Sequence, residues 1–345
     1  MTSSQPPAIF SALRLKGIKP VLDKMVYLGF DLKACLNDTG ITVDQLSASD
    51  ELRGGISLEQ EFTLYENILR LSGSPHIGLE LGTAYSADSL GILGYAQMSA
   101  KNMEESIKIA TSYSPLTLTY FKPVMIKQDD FGGIALEKQY EVPEHLLQVF
   151  SDRAVKAVIS IATSYYDHQN IFRKIHLMHN DCNKALYEKS FGCEVEFGHH
   201  RNEILIKKED MLRPFPESDP EFSRKCLEQC RKIMHTFQAR SELISQIKEI
   251  ILSEPGYFPK ANEVAEKLGC TPRTLRRKLS QEGEHYQTLV NEVRAELAKR
   301  YLKSDLPLDA IAEMLGFSEA AAFSNAFKVW ESISPSEYRE SHQHQ

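Results

Sequence analysis

Apolar residues along this 345-residue chain follow two different periods. Val21, Leu22, Met25, Leu28 and Leu32 fall on or near one face of a helix over about 20–35. Phe62, Tyr65, Ile68 and Leu69 repeat that spacing over 58–71, where Gly73 and Pro75 end it. Further helices are expected over 77–85, 90–113 and 146–166, with a short one near 183–189. Between them the period drops to two. LTLTYFKPVMIKQ and IALEKQYEV alternate around the turn DDFGG, predicting a hairpin over 116–142 with Pro123 at an edge or a bulge. KIHLMH, CEVEF and EILIKK read as short strands, the last two as a hairpin with His199 and His200 at its turn. The first ten residues carry no such pattern.

RPFPESDPEF, residues 213–222, is rich in proline and acid and marks a boundary. A helix over 222–240 follows, as a connector or as the last element of the first domain. Beyond it only the helical period remains, over 243–252, 261–268, 272–279, 286–302, 308–315 and 319–330. The pattern predicts a multidomain chain: an α+β domain over 1–215, a connector over 216–239, an all-α domain over 240–340 and a tail over 341–345.

The all-α part repeats itself. NEVAEKLGCTPRTLRRKL lies over DAIAEMLGFSEAAAFSNAF so that Ala265, Glu266, Leu268 and Gly269 match Ala312, Glu313, Leu315 and Gly316. Thr271 matches Ser318. With one extra residue in the second copy, Leu275 and Leu279 match Phe323 and Phe327. Each copy is a short helix, a glycine that permits a sharp reversal, and a second helix opened by a capping hydroxyl. Pro272 suits the first turn of its helix, where its missing N–H costs nothing. This is helix-turn-helix geometry, twice, joined by a helix over 286–302. The second helix of each pair is shaped to enter a major groove, and the two grooves on one duplex face lie roughly 34–36 Å apart.

With the motifs LGFSE, FSNAFK and ISPSEYR, residues 240–340 resemble the C-terminal DNA-binding domain of AraC/XylS-type bacterial transcription regulators. Residues 20–215 resemble the companion domain called arabinose-binding-like, whose ligands vary. The resemblance implies a regulator of promoters, usually an activator, that contacts double-stranded DNA and RNA polymerase and answers to a small organic effector, with dimerisation through the first domain.

On this reading the base-reading positions of the first unit fall on Arg273, Arg276 and Arg277, with Thr274 beside them. Thr271 and Lys278 face the phosphates. Arginine suits guanine because its planar fork meets O6 and N7 together. In the second unit Phe323, Phe327 and Trp330 form the buried stripe, and Ala322 and Ala326 permit close helix contact. Ala321 and Asn325 are the base-reading positions; Ser324, Lys328 and Arg339 are backbone contacts. The family commonly has arginine where this chain has Asn325, which therefore pairs with adenine or accompanies a backbone contact. Charge divides the same way: residues 260–303 hold ten Lys/Arg and six Asp/Glu, net +4, whereas 304–340 hold two and seven, net −5. Ser334 and Glu337 form a capping box that opens a terminal helix, which Ile333 and Tyr338 pack under the second unit.

Composition changes little. The formal charge of −7 disfavours a wholesale polyanion binder but leaves room for a local basic patch. Neither a leader nor an eighteen-residue apolar run is visible, so no membrane association is expected, and the six scattered cysteines suit a reduced, cytoplasmic protein. No phosphate loop and no nucleophile elbow occur, and no cofactor is expected. The competing function is a DNA-binding domain fused to an uncharacterised catalytic domain. His176, His179, His199 and His200 with Cys182 and Cys193 contain a conceivable metal set, but the turn histidines are expected to be merely exposed and no metal is assigned. Leu90, Ile92, Leu93, Tyr95, Met98, Tyr113, Tyr120 and Phe121 either line an effector cavity or belong to the core, and core is the expectation.

Overall fold

The computed structural model describes residues 8–47, 55–117, 120–128, 130–166, 171–181, 183–281, 284–331 and 333–342. The first seven residues, Leu118 and Thr119 of the expected first strand, Asp129 of the expected turn, Cys182 and the last three residues lie outside them. Two compact units are present, Met1–Phe237 and Gln238–Gln345.

Helices α1 (Ala8–Tyr27), α2 (Leu32–Cys35), α3 (Val43–Ser47), α4 (Leu58–Ser72), α5 (Ile77–Gly82), α6 (Ile92–Met98) and α7 (Met103–Ser112) precede strands β1 (Phe121–Lys127) and β2 (Phe131–Lys138). Then come α8 (Glu144–Thr163), β3 (Phe172–His176), α9 (Lys184–Phe191), β4 (Glu194–Glu196), β5 (Asn202–Lys207) and α10 (Lys208–Leu212). Helix α11 (Pro220–Leu252) follows, and the second unit is completed by α12 (Ala261–Lys267), α13 (Pro272–Gln281), α14 (Tyr286–Leu302), α15 (Leu308–Met314), α16 (Ala320–Glu331) and α17 (Pro335–His342).

The sheet runs β1-β2-β5-β3-β4. β1 and β2 form the expected hairpin, with Lys127 opposite Gly132 and with Pro123 on the edge strand, where its missing N–H breaks no ladder. The second expected hairpin does not exist. β4 pairs in parallel with β3, and β5 pairs antiparallel with β3 on its other side. The crossover helix α9 allows a parallel return that a tight turn cannot make. The expected helix over 90–113 is two helices. Asn102 is extended, accepts from the Glu105 N–H at 3.0 Å and so starts α7 afresh. The released backbone pairs elsewhere: Ser99 O accepts from Asp219 N, and Lys101 O accepts from Phe215 N. Helix α1 begins at Ala8, inside the stretch without pattern, and carries Pro20 internally. The two helices expected over 222–240 and 243–252 are the single 33-residue α11, because no Gly or Pro stands between them.

The core of the first unit centres on Phe150 of α8, whose ring meets Tyr65 at 4.4 Å and Tyr120 at 4.5 Å. Charge is buried beside it. Glu61 accepts from the Tyr120 hydroxyl at 3.0 Å, and Arg14 lies 4.0 Å away. Burial outweighs the help from Arg153 and Arg14 and pushes its pKa up to about 7.

In the second unit the two copies turn alike. Gly269 (φ 63°) and Gly316 (φ 72°) are left-handed, and the next N–H reaches five residues back, Cys270 to Ala265 and Phe317 to Ala312. That is a Schellman closure in both turns. Leu275, Leu279, Phe323 and Phe327 are buried as the repeat implies, and α14 packs against α15, α16 and α17. Arg294 of α14 stacks over Phe258 at 4.4 Å and over Phe317 at 4.8 Å. The capping box forms, with Ser334 N 2.7 Å from Glu337 Oε2. Tyr338 packs on Phe327 at 5.6 Å, but Ile333 is exposed, because the turn into α17 points it outward.

Two predictions follow from these interiors. A Glu61 pKa raised on folding contributes stability fully below about pH 4.5 and loses it as pH rises through about 7, a decline of about 3 kcal/mol. Urea unfolding between pH 5 and 8 is expected to show that decline in the native protein and its absence in Glu61→Gln; parallel profiles would refute the assignment. In the second unit, alanine at Gly269 meets open space and bears only the left-handed cost of about 1–2 kcal/mol. Alanine at Gly316 would also sit 3.0 Å from the Phe258 ring, so Gly316→Ala is expected to lower the melting temperature further than Gly269→Ala.

Candidate nucleic-acid interface and N-terminal cavity

Helix α13 is positioned by its two leucines. Leu275 and Leu279, one turn apart, are buried, so the rest of the helix is left outside. Arg273, Arg276, Arg277 and Lys278 are all exposed. Thr271 caps the helix: its hydroxyl accepts from the Thr274 N–H at 3.2 Å and lies 2.9 Å from the Thr274 hydroxyl. Thr274 is half-buried and engaged in that cap, which leaves the three arginines and Lys278 as the exposed cationic donors of the helix.

Helix α16 is positioned by Phe323 and Phe327, both fully buried, with Trp330 packed beside them. Ala321, Asn325 and Lys328 are exposed and Ser324 is half-buried. Ala322 does not serve helix contact as expected. It is exposed, and Ala320 takes that role because the helix starts at Ala320, turning Ala320 toward the cluster. Arg339 is half-buried and donates to the Leu306 carbonyl at 2.6 Å, tying α17 to the loop before α15. One unit thus presents a row of cations and the other a nearly neutral, small-residue face, in line with their net charges of +4 and −5.

The first unit holds a cavity among α6, α7, α8 and the sheet. Leu90, Ile107, Ala157, Ile161, Phe172 and Ile206 are among its apolar lining. Gln97 and Arg153 also line it and are buried. Gln97 Oε1 and Arg153 Nε have no hydrogen-bond partner among the described residues. Buried polar atoms left unsatisfied are costly and mark a place where another group belongs. Of the residues weighed from the sequence, Leu90 lines this cavity, Leu93, Tyr120 and Phe121 belong to the core, and Tyr95 is exposed. Gln97 and Arg153 were missed. The available signal was a polar residue at an apolar-periodic position of each helix.

The histidines divide. His179 is buried and its Nε2 lies 2.8 Å from Asp152 Oδ1, away from the others. His199 is not a plain exposed turn residue: its ring stacks on that of His176 at 3.9 Å. Cys193 stays half-buried, with burial pushing its thiol up to about 11. No helix among the described residues is long and apolar enough to cross a membrane.

Comparison with known proteins agrees with this geometry. The profile of the arabinose-binding domain of AraC transcription regulators, N-terminal, matches residues 29–215, and that of a helix-turn-helix domain matches 264–341. The chain is similar to the ornithine utilization regulator of Pseudomonas aeruginosa, 29% identical over 324 residues that cover 93% of this chain and 94% of that one. It is similar to the HTH-type transcriptional regulator VqsM of the same organism, 25% identical over 334 residues, covering 90% and 95%. Among solved structures, the transcriptional regulator CdpR from Pseudomonas aeruginosa aligns with 81% of this chain and 91% of its own at 21% identity and a TM-score of 0.45. With the N-terminal profile spanning more than half of its length and the helix-turn-helix profile matching 264–341, this chain belongs to the AraC-type regulators and is a DNA-binding transcription regulator rather than an enzyme.

Proposed function

We propose that this protein activates transcription in the cytoplasm as a homodimer, gripping promoter DNA mainly through α13 and answering to a small apolar or amphipathic organic effector held in the N-terminal cavity. Residues 1–215 would sense, 216–239 connect and 240–340 bind DNA, with RNA polymerase as the further partner. The observation that carries the reading is the exposed cationic row Arg273, Arg276, Arg277 and Lys278 on a helix fixed by buried leucines and a threonine cap. Arg273, Arg276 and Arg277 read bases; Thr271 and Lys278 meet phosphates. Thr274, its hydroxyl taken by the cap, offers a base only its methyl group. Ala321 touches a thymine methyl, Asn325 pairs with adenine, and Ser324 and Lys328 approach the backbone. Arg339 contributes first as a clasp and only at its margin to phosphate.

The effector's chemistry follows from the cavity. Its described lining contains no carboxylate; the cation Arg153, the amide Gln97 and the hydroxyl-bearing Tyr85, Ser106, Thr117 and Tyr165 stand among otherwise apolar side chains. Ornithine, which the name of the similar Pseudomonas aeruginosa regulator mentions, carries two ammonium groups beside its carboxylate; Arg153 could meet the carboxylate, but the ammonium groups would find no counter-charge there. An apolar body with one polar end satisfies both the walls and the unpaired Gln97 Oε1 and Arg153 Nε. Such a ligand shifts the regulator only by favouring one state over another.

Arg277→Ala is expected to weaken the cognate site and relax preference at one or two base pairs, by about 1–3 kcal/mol of discrimination, and to cost more than Asn325→Ala. Lys278→Ala should weaken cognate and scrambled DNA alike and lower the salt slope by about one. Binding of each variant to both DNAs at several salt concentrations decides this, and an equal or larger specific loss at Asn325 would transfer the leading role to α16. For the cavity, Ala157→Phe fills the space from α8. The full-length variant should keep its promoter affinity and lose no more than about 1–3 kcal/mol of unfolding free energy. It should lose saturable binding of the amphipathic dye anilinonaphthalene sulfonate; undiminished dye binding would place the ligand elsewhere.

A further inference from the structure

The sheet order brings together side chains that the DNA-binding reading does not use. β3 lies between β5 and β4, so His176 has two cross-strand partners: Glu203 in the antiparallel ladder and Glu196 in the parallel one. Paired positions share a face, and all three side chains meet there. Glu203 Oε2 is 2.8 Å from His176 Nδ1, and Arg201 Nε holds the other Glu203 oxygen at 2.7 Å. A carboxylate so held accepts, so Nδ1 of His176 donates to it, and Nε2 is the nitrogen whose lone pair, in the neutral ring, is available to an ion.

That lone pair faces another acceptor. His176 Nε2 lies 3.4 Å from Glu196 Oε2, and His199 Nε2, from the turn after β4, lies 3.3 Å from the same oxygen. The three donor atoms fall within 4.8 Å of one another. A cation between such groups removes their repulsion. In a tetrahedral site with bonds of 2.0–2.1 Å the donors stand about 3.3–3.4 Å apart, which the two measured separations match. The rings are stacked at 3.9 Å and 2°, so they must fan apart to aim at one ion. His199 has room to do so: its side chain is 31% exposed, and its backbone is pinned by the bond from its N–H to the Leu177 carbonyl. Charge favours occupancy, because Glu137, Glu194, Glu196 and Glu203 outnumber Lys174 and Arg201 in this ion-pair network.

We propose that His176, Glu196 and His199 bind a divalent transition-metal cation of the zinc class, with Glu203 as the outer carboxylate that orients His176. Two imidazoles and one carboxylate select such ions over magnesium and calcium, whose sites are built from oxygen. The fourth position stays open to water. The ligands come from two strands and a turn joined by the α9 crossover, so the ion cross-links them and stabilises the first unit.

The test uses the full-length protein freed of metal with a chelator and desalted. Titration with zinc chloride against a chromogenic chelator should give one tight equivalent and a rise in melting temperature, and magnesium chloride should give neither. Cobalt(II) should produce the visible absorption of a four-coordinate ion bound to nitrogen and oxygen, without a thiolate charge-transfer band. His199→Gln, in a solvent-facing turn, should keep the apo melting temperature and abolish the zinc-dependent rise; Glu203→Gln should weaken binding about ten- to a hundredfold. Retention of tight zinc binding in His199→Gln, a thiolate band with cobalt, or no zinc-dependent rise in the native protein overturns the proposal. The cobalt spectrum of the native protein decides the matter even if a variant fails to fold.

Discussion

The guanidinium of Arg294 lies between two aromatic rings, Phe258 just before the first helix-turn-helix and Phe317 just after the turn of the second. This sandwich does what no backbone hydrogen bond of the unit can do. It fastens both copies to one point on the helix that joins them. Burial works against the Arg294 charge and lowers its pKa, and its Nε has no hydrogen-bond partner among the described residues. The aromatic faces are therefore its main compensation. Gly316 is glycine for the same reason: a Cβ there would press on the Phe258 ring and approach the guanidinium. Together with the Tyr286 hydroxyl, which donates to the Pro259 carbonyl at 2.6 Å, and the apolar packing of α14 on α15 and α16, this stacked cation links the segments that carry α13 and α16.

The second unit was legible because its information is local. Each copy carries its cap, turn glycine and apolar spacing within about twenty residues, and the structure keeps Thr271, Gly269, Gly316, Leu275 and Phe327 in those roles. Ser318, the expected cap of the second copy, makes no capping bond among the described residues, because α16 starts only at Ala320. Arg294 was not legible, since a cation on an amphipathic helix looks the same whether it meets water or two rings. In the first unit the helices and the first hairpin could be read, but sheet order could not. CEVEF and EILIKK satisfy the pattern of a hairpin, and only the tertiary structure slides β3 between them. The error mattered, because it hid the proximity of His176 to both glutamates.

The first unit also buries more charge than its pattern suggests. Glu61, Asp152 and Arg153 are all nearly inaccessible, and the last two are consecutive on α8. Asp152 is held by His179 and by the Tyr187 hydroxyl at 2.8 Å each. Arg153 turns the other way, to the Tyr85 hydroxyl at 3.0 Å and to the cavity. Partnered polar groups of this kind lend a core directional specificity at little net gain in stability. They also place the cavity-lining Arg153 and the Asp152 network side by side on one helix.

The sheet order has a consequence for biosynthesis. β2 is complete at Lys138, but its second neighbour, β5, begins only at Asn202. At ribosomal speeds of about 5–20 residues per second, the 63 intervening residues take about 3–13 s to emerge. During that interval the β1–β2 hairpin presents Ile134 and Leu136, both buried in the finished unit, along an unpaired strand edge. The nascent chain thus carries an unpaired apolar strand edge through that interval in every round of synthesis.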